Sequence, residues 1–381
     1  MLTRRHRQPD IEGTLTVKPG LADVVAFDTE IAEPDRSGGS LRYRGINIEK
    51  LIGRVSFGDV WGLLVDGTFE RGLPAAEPFP LPLDSGNIRV DVQAAIAMMT
   101  PYWGLRELID IDAAQAREDL ARTSVMMLSF VAQAARGTRL PAVPQRRVED
   151  GRSTTERFMI RWHGDPDPRQ IEAIDRYWIC AAEHGMNAST FTSRVVASTG
   201  ADVAACLSAA VAALSGPLHG GAPTRALGMV EAVEKGEDPR RYVRRILDSG
   251  QRLMGFGHAI YRAEDPRARI LRAAAKELGA PRYEVARELE KAALAELRER
   301  KPDRVLETNV EYWAAIVLDF AQVPSDLFTA MFTCARTAGW SAHILEQKRL
   351  TKIIRPSADY VGPADREPST LPGWDRVARP R

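Results

Sequence analysis

Two histidines of the chain lie in glycine-containing loops, a setting in which a side chain can meet a bound ligand. His219 lies in the run SGPLHGGA, directly after an apolar segment, and His258 lies in GFGHAIYRAEDPR. Glycine lets the backbone approach a ligand closely, and loops anchored on rigid elements often carry catalytic residues. A tight helix–helix turn with an incidental histidine accounts equally well for the first loop alone. Together the loops indicate an enzyme whose chemistry is carried by His219 and His258.

The second loop also contains a pattern that points to an anionic ligand. Asp265 and Pro266 have the pattern of a helix start, with Asp as the N-cap and Pro at the first helical position. Arg267 would then lie in the first turn, where the helix dipole disfavours a cation. A bound anion would explain a cation at that end. The two glycines before His258 lack a third glycine and a preceding strand, so they do not predict a dinucleotide-binding fold.

The sequence leaves two roles open for Glu311. Together with Thr308 it has the spacing of a capping box, in which a glutamate carboxylate binds a backbone N–H at a helix start. The alternative is general base catalysis. The two roles compete, because a capping carboxylate is already occupied.

Three further arginines lie near loop residues or within apolar segments. Arg336 has small or apolar neighbours, so its charge needs a partner if it is buried. Arg355 precedes Pro356, and Arg194 follows a polar run that is compatible with a solvated side chain.

The elements that position these residues are predicted to be mostly helical. Apolar periodicity predicts helices over 57–64, 90–99, 113–135, 171–182, 190–199, 202–214, 283–300, 310–320 and 327–348. Short β-like pieces are confined to the first fifty residues, at 15–17, 24–27 and 41–45. The sequence therefore predicts a mainly α protein.

The composition argues against several classes of protein. A chain of 381 residues suggests two domains or one large domain with a lobe. A net charge of +1 gives no reason to expect nucleic acid or a membrane as partner. Three cysteines lie far apart without a CxxC pair, which predicts neither a metal site nor a disulfide scaffold and fits a reducing cytoplasm. The basic N-terminus lacks the apolar region of a secretory signal.

Taken in order along the chain, these segments resemble the citrate synthase family. GFGHAIYRAEDPR is similar to the family's signature, and SGPLHGGA to its other histidine loop. EHGMNAST, which contains His184 and Asn187, resembles a third histidine segment. VVAFDTEI and LRYRGINIEKL near the N-terminus, and NVEYWAA and RTAGWSAHILEQ further on, take the remaining positions in the family's order. The resemblance covers about residues 20–362.

The resemblance implies an acyltransferase of the tricarboxylic acid cycle that condenses acetyl-CoA with oxaloacetate and water to give citrate and CoA. His219 would hydrogen-bond the thioester carbonyl as the enol forms, His258 would polarise the oxaloacetate ketone and donate its proton, and Glu311 would be the base. These residue types suit the reaction, because removing a methyl proton needs a carboxylate and an oxyanion donor, and arginines bind carboxylates in a fork.

Further residues are assigned by the same resemblance. The residues implied to bind oxaloacetate are His184, Asn187, Arg267, Arg336 and Arg355. The residues implied to line the CoA site are Arg252, Leu253, Met254, Gly255 and Gly257. Acetyl-CoA is then a co-substrate, and neither a permanently bound cofactor nor a metal is implied.

The resemblance also implies a multi-helical fold with two domains. The large domain would comprise residues 1–220 and 323–381, and the small domain, residues 221–322, would carry His258 and Glu311. Docking of oxaloacetate would close the small domain over the site. A homodimer is implied in which Arg355 reaches the partner's site. The chain is too short for the N-terminal region of the family's NADH-regulated members, so a dimer without an NADH site is expected rather than a hexamer.

Two departures from the family and two rival functions remain. Glu311 stands where the family usually has aspartate, so either the backbone compensates, or the enzyme is slow, or its acyl group differs; intact neighbouring motifs favour compensation. Gly185 replaces a common glutamate, a minor change. A 2-methylcitrate synthase using propionyl-CoA would share the motifs, because one methylene is worth only ~1–3 kcal/mol of discrimination. A non-catalytic binding protein of the same fold is the other rival.

Overall fold

The computed structural model describes residues 18–21, 24–35, 39–216, 219–220, 222–258 and 260–379, with the side chains at 222 and 223 excluded. The β-like piece expected at 15–17 lies outside these residues. Within them the fold is mainly α-helical, as the sequence predicts.

A small antiparallel sheet precedes the helices. Its strands are β1 (Ala32–Pro34), β2 (Leu41–Tyr43) and β3 (Ile46–Asn47), in that order. Arg44 and Gly45 both have positive φ, as a two-residue hairpin with the twist of its strands requires. The strand expected at 41–45 is confirmed, but the one expected at 24–27 is wrong. Val24 and Val25 are exposed, Phe27 is partly buried, and the segment has no partner strand among the residues that the structure describes.

The first eight helices form the larger part of the fold. They are α1 (Phe57–Asp66), α2 (Ile88–Trp103), α3 (Ala113–Arg136), α4 (Gln145–Glu149), α5 (Thr154–His163), α6 (Pro168–Ala181), α7 (Ala188–Ser198) and α8 (Val203–Leu214). Local chemistry sets their ends. Ser56 and Asp59 form a capping box at the start of α1, and Gly67 ends that helix in the left-handed conformation.

A second group of helices follows. It comprises α9 (Ala222–Glu234), α10 (Pro239–Asp248), α11 (Pro266–Glu277), α12 (Tyr283–Arg300) and α13 (Val310–Phe320). These helices pack mainly on one another, and α11 and α13 also pack against α6. The chain then returns to the first group through α14 (Phe328–Leu350) and ends with the short α15 (Trp374–Val377).

Helix α14 is the centre of the larger group. It packs against α1, α3, α6, α7 and α8, and it is buried on nearly all sides. A helix surrounded in this way lacks a polar face, so polar side chains on it need partners within the protein. Several of the residues with candidate functions lie on α14 or contact it.

Among the described residues, no helix is both long and apolar enough to cross a membrane. The same residues contain no group of three or more histidine, cysteine, aspartate or glutamate side chains placed to hold a metal ion.

Candidate active site

A cavity of about 1,230 Å³ lies between the two groups of helices. Its walls come from the loop before α7, the loop after α8, the segment that leads into α11, and the helices α9, α10, α13 and α14. Ten of the residues singled out in the sequence line it: His184, Asn187, His219, Arg252, Met254, Gly257, His258, Arg267, Glu311 and Arg336. The fold therefore brings both histidine loops together with Glu311 and two arginines.

The ring of His258 is held so that one nitrogen donates into the cavity. Nδ1 accepts hydrogen bonds from the backbone N–H groups of Ile260 (3.0 Å) and Tyr261 (3.2 Å). Burial, helped by the charge of Arg267, lowers the pKa of His258 to about 4, so the ring is neutral near pH 7 and carries its proton on Nε2. Nε2 lies 3.3 Å from Nη2 of Arg267, which is also a donor. Two adjacent donors create a place for a carbonyl or carboxylate oxygen.

His184 lies beside His258 and is almost completely buried. The two rings are 5.1 Å apart, edge to face. Nε2 of His184 lies 3.0 Å from the hydroxyl of Tyr261, a buried residue that sequence reasoning did not single out. Burial, together with the nearby charge of Arg267, holds the pKa of His184 well below its ordinary value. His184 is therefore a neutral hydrogen-bonding group.

His219 has the opposite tautomer to His258. Its Nε2 faces the backbone N–H of Ser189 (3.4 Å) and the hydroxyl of Ser189 (3.0 Å). Because the backbone N–H can only donate, Nε2 is the acceptor and the proton lies on Nδ1. Burial, with the charge of Arg336, lowers the pKa of His219 to about 4. The indole of Trp340 donates to the same serine hydroxyl, so α14 also fixes this ring.

Arg267 is buried in the first turn of α11, where the sequence predicts it. Asp265 is the N-cap of that helix and accepts two hydrogen bonds from the guanidinium, at 3.0 Å and 2.8 Å. Burial lowers the pKa of Arg267, but the Asp265 carboxylate has the larger effect, so the pKa of Arg267 is raised. Oδ2 of Asp265, which accepts from Nη2 of Arg267, also accepts the N–H of Val310, which ties α11 to the start of α13.

Arg336 lies on α14 and is only 2% exposed. Its Nε donates to the carbonyl of Ala181 at 3.0 Å. Its Nη1 is buried and has no hydrogen-bond partner among the described residues. A buried N–H of a cation without an acceptor is costly, and an anionic ligand in the cavity would remove that cost.

Glu311 does not cap its helix, so the capping-box interpretation is wrong. The N-cap of α13 is Asn309, whose Oδ1 accepts the N–H of Glu311 at 3.0 Å. Burial raises the pKa of the Glu311 carboxyl to about 7, with Asp265 acting in the same direction and Arg267 and Asn309 against it. A carboxylate with a raised pKa is a stronger base than an ordinary one.

The backbone around Glu311 is fixed by the loop that carries His258. Phe256 and Thr308 form an isolated antiparallel bridge. The N–H of Asn309 donates to the carbonyl of Gly255 at 2.9 Å. Gly255 has a φ of 85°, and a Cβ there would lie 2.7 Å from Cβ of Tyr312. This glycine thus lets the loop pack against α13.

A second cleft of about 1,100 Å³ meets the first at His258 and Glu311. It is lined by the segment 250–258, which includes Leu253 and Gly255 of the predicted CoA set, and by the end of α12. Five basic side chains contribute to its lining: Arg252, Arg262, Arg300, Lys301 and Arg304. A basic cleft that opens onto the reacting groups suits a ligand with phosphates.

Asn187 lines the cavity but its amide is occupied within the protein, and Arg355 lies away from the cavity. Asn187 is the N-cap of α7, and its amide also bonds Gly185, Ser189 and Thr190. Arg355 is exposed in the segment after α14 and does not line the cavity of its own chain.

The expectation of a solvated Arg194 is wrong, since this residue is fully buried. Its Nη1 lies 3.0 Å from Nδ1 of His343 and 2.5 Å from a carboxylate oxygen of Glu346. Its Nε donates to Gln347 at 3.0 Å. All three partners lie on α14, and their contribution was not visible from the neighbours of Arg194 in sequence.

Comparisons with known proteins identify the family of the chain. The model of the family "Citrate synthase, C-terminal domain" matches residues 20–357. A protein named "Putative citrate synthase 2" from Mycobacterium tuberculosis is 68% identical over 360 residues, covering 94% of this chain and 96% of the relative. A 2-methylcitrate synthase from Shewanella oneidensis is 33% identical over 380 residues, covering 91% of this chain and 96% of the relative.

Among solved structures, the chain is similar to the citrate synthase of the thermophilic archaeon Thermoplasma acidophilum. That protein was solved in a ternary complex with carboxymethyl coenzyme A and oxaloacetate. The TM-score is 0.78 at 26% identity, and the match covers 92% of this chain and 98% of the other.

Proposed function

The chain belongs to the citrate synthase family, and we propose that it condenses acetyl-CoA with oxaloacetate and water to give citrate and free CoA. One observation carries the proposal: a single cavity joins a carboxylate of raised pKa, two neutral histidines with opposite tautomers, and two buried arginines. A non-catalytic binding protein has no need for a carboxylate base beside these donors. A non-catalytic binding function is therefore disfavoured.

Oxaloacetate would bind at the arginine side of the cavity. Nη1 of Arg336 is buried and has no partner among the described residues, so a substrate carboxylate would complete its hydrogen bonding. Arg267 and Nε2–H of His258 are 3.3 Å apart and would together hold the ketone oxygen. His184 lies against His258 and would contact the same substrate, while Asn187 would act mainly by holding the start of α7.

The condensation would proceed in two steps from these positions. The Glu311 carboxylate removes a proton from the acetyl methyl group while Nδ1–H of His219 donates to the thioester oxygen. The resulting enol carbon attacks the ketone carbon of oxaloacetate. The ketone oxygen takes a proton from Nε2 of His258, and the proton taken up by Glu311 returns to His258 through solvent, which gives the thioester of citrate and CoA. Water then hydrolyses that thioester to citrate and CoA.

The basic cleft would hold the remainder of acetyl-CoA. It opens at Glu311, so a thioester entering from it would present its methyl group to the base. Arg252, Leu253, Met254, Gly255 and Gly257 form part of its wall. CoA binds as a co-substrate in this account, and the chemistry needs no resident cofactor.

Two larger-scale proposals accompany the reaction. Residues 221–322 would move as a small domain, since α9 to α13 pack mainly on one another and meet the larger group largely through α6. The segment after α14 would lie on a partner subunit and bring Arg355 to its site. It exposes Ile353 (66%), Tyr360 (77%) and Val361 (90%), which a second copy of the chain would cover. We place this homodimer in the cytoplasm.

The acyl group is a separate proposal. We favour acetyl-CoA, and the similarity to a 2-methylcitrate synthase makes propionyl-CoA the alternative. The ratio of kcat/KM for the two thioesters decides between them. A ratio above one in favour of acetyl-CoA supports citrate synthase, and the reverse supports 2-methylcitrate synthase.

Substitution of the base tests the mechanism. Glu311→Gln keeps the shape of the side chain but cannot accept the methyl proton, so CoA release should be abolished. Oxaloacetate should still bind with nearly unchanged Kd by calorimetry, because Arg267 and Arg336 are intact. Unchanged turnover in this variant would remove Glu311 from the chemistry.

A further inference from the structure

The side chain of Glu183 occupies a slot on the surface of α14. Arg336, Gly339 and His343 lie on one face of that helix, at spacings of three and four residues. Gly339 forms the floor of the slot, because a Cβ there would collide with Oε2 of Glu183 and lie 2.7 Å from the carbonyl of Ala182. The carboxylate, which is 0% exposed, thus lies between an arginine and a histidine.

His343 holds this carboxylate through a defined tautomer. Its Nδ1 lies 3.0 Å from Nη1 of Arg194, and a guanidinium N–H can only donate. Nδ1 is therefore the acceptor, and the proton lies on Nε2. Nε2 is 3.3 Å from Oε1 of Glu183, so His343 donates to the carboxylate. Arg194 is itself anchored by Glu346 at 2.5 Å.

Glu183 acts on Arg336 through its charge and not through a hydrogen bond. Oε2 of Glu183 and Nη1 of Arg336 are both buried without a partner among the described residues, so they do not bond each other. Arg336 is fixed instead by its bond to Ala181. Burial lowers the pKa of Arg336, the charge of Glu183 raises it, and the charge of Arg267 lowers it. Arg267 has its own resident carboxylate in Asp265.

We propose that Glu183 is a positioning residue that supplies the resident counter-charge of Arg336, held in place by Gly339 and His343. It balances the buried arginine in the empty site and weakens the attraction of that arginine for an incoming dicarboxylate. Repulsion between the Glu183 carboxylate and a bound anion also favours release of citrate, which is more highly charged than oxaloacetate. This inference rests on the proposed function, because it takes oxaloacetate and citrate as the ligands.

The test is to neutralise Glu183 while keeping its shape. In Glu183→Gln, the KM and the calorimetric Kd for oxaloacetate should fall about tenfold, since a unit charge is removed at short range in a medium of effective dielectric near 20. The inhibition constant for citrate should fall by at least as much, and kcat should stay within about threefold. Glu183→Asp keeps the charge and should keep the wild-type KM within about threefold.

A control separates this effect from the loss of any buried ion pair. Asp66 pairs with the buried Arg117 at 2.7 Å, and neither residue lines the cavity. Asp66→Asn should lower Tm and leave the KM for oxaloacetate unchanged. If Glu183 acts in folding alone, both Glu183→Gln and Asp66→Asn should lower Tm, and neither should tighten oxaloacetate binding.

The outcomes distinguish the two proposals. A purified, folded Glu183→Gln variant whose KM and Kd are unchanged or raised overturns the inference. If that variant does not fold, a tenfold fall in KM for Glu183→Asp overturns it equally, because the charge is still present. A wild-type protein that binds oxaloacetate without releasing CoA refutes the proposed function alone, and the Kd values then still test Glu183. A wild type that does not bind oxaloacetate refutes both.

Discussion

Shortening Glu311 to aspartate tests how this chain uses a glutamate where the family usually has an aspartate. The backbone at this position is fixed on three sides. Asn309 caps the helix, its N–H bonds the carbonyl of Gly255 at 2.9 Å, and the N–H of Val310 bonds Asp265 at 3.0 Å. The start of α13 therefore has little freedom to advance towards the substrate, and the longer side chain supplies the reach.

The expected cost follows from that geometry. Removing one methylene withdraws the carboxylate by more than about 1 Å, and a misplacement of about 1 Å costs ~100-fold in rate, or roughly 2.7 kcal/mol in activation free energy. The kcat for CoA release should fall by about this factor in Glu311→Asp. The KM for oxaloacetate should change less than twofold, because Arg267 and Arg336, its proposed ligands, are untouched.

A neighbouring glutamate provides the matched control. Glu307 pairs with Arg298 at 2.9 Å on the surface of α12, outside the main cavity. Glu307→Asp makes the same chemical change and should leave kcat within about twofold. A Glu311→Asp variant as fast as the wild type, or faster, would refute the inference that the fixed backbone of α13 requires the longer side chain at this position.

Three further predictions concern pH and charge. Because the pKa of the proposed base Glu311 is raised to about 7, kcat should fall as pH drops through about 7; a constant kcat down to pH 5 would contradict this role. Burial raises the pKa of Asp175 to about 6, so its charge costs stability above that pH. Asp175→Asn should be more stable than the wild type by about 1–2 kcal/mol at pH 8 in urea unfolding, which is less than the full pKa shift implies because the side chain is partly exposed. This gain in stability should vanish near pH 4. Lower stability of the variant at pH 8 would contradict the prediction. Arg336→Lys cannot keep both the bond to Ala181 and a donor to the substrate, so the KM for oxaloacetate should rise ~100-fold; a rise below threefold would exclude Arg336 as a carboxylate ligand.

The helices could be predicted where a strong local pattern coincides with the final packing. The predicted bounds of α12 and α13 agree with the structure, because apolar residues recur at helical spacing between polar ends. The strand expected at 24–27 failed because β-forming residues do not specify a partner strand. Its Val24 and Val25 remain exposed at 45% and 85%.

Most of the candidate site residues that the sequence singles out line one cavity, but their contacts could not be predicted. The spacing of Thr308 and Glu311 fits a capping box, yet Asn309 caps the helix because its amide also bonds Gly257 across the loop at 2.9 Å. Arg194 follows polar residues but is buried by partners on α14, far along the chain. Long-range contacts of this kind decide tautomers and burial, and sequence periodicity carries no information about them.

The most direct test of the central claim is the release of free CoA by the purified protein. The proposed function predicts that acetyl-CoA is cleaved only when oxaloacetate is present, with citrate formed in equal amount. It also predicts that Glu311→Gln abolishes this release under the same conditions. Absence of CoA release by the wild type with either acetyl-CoA or propionyl-CoA, or release that does not require oxaloacetate, would contradict the claim.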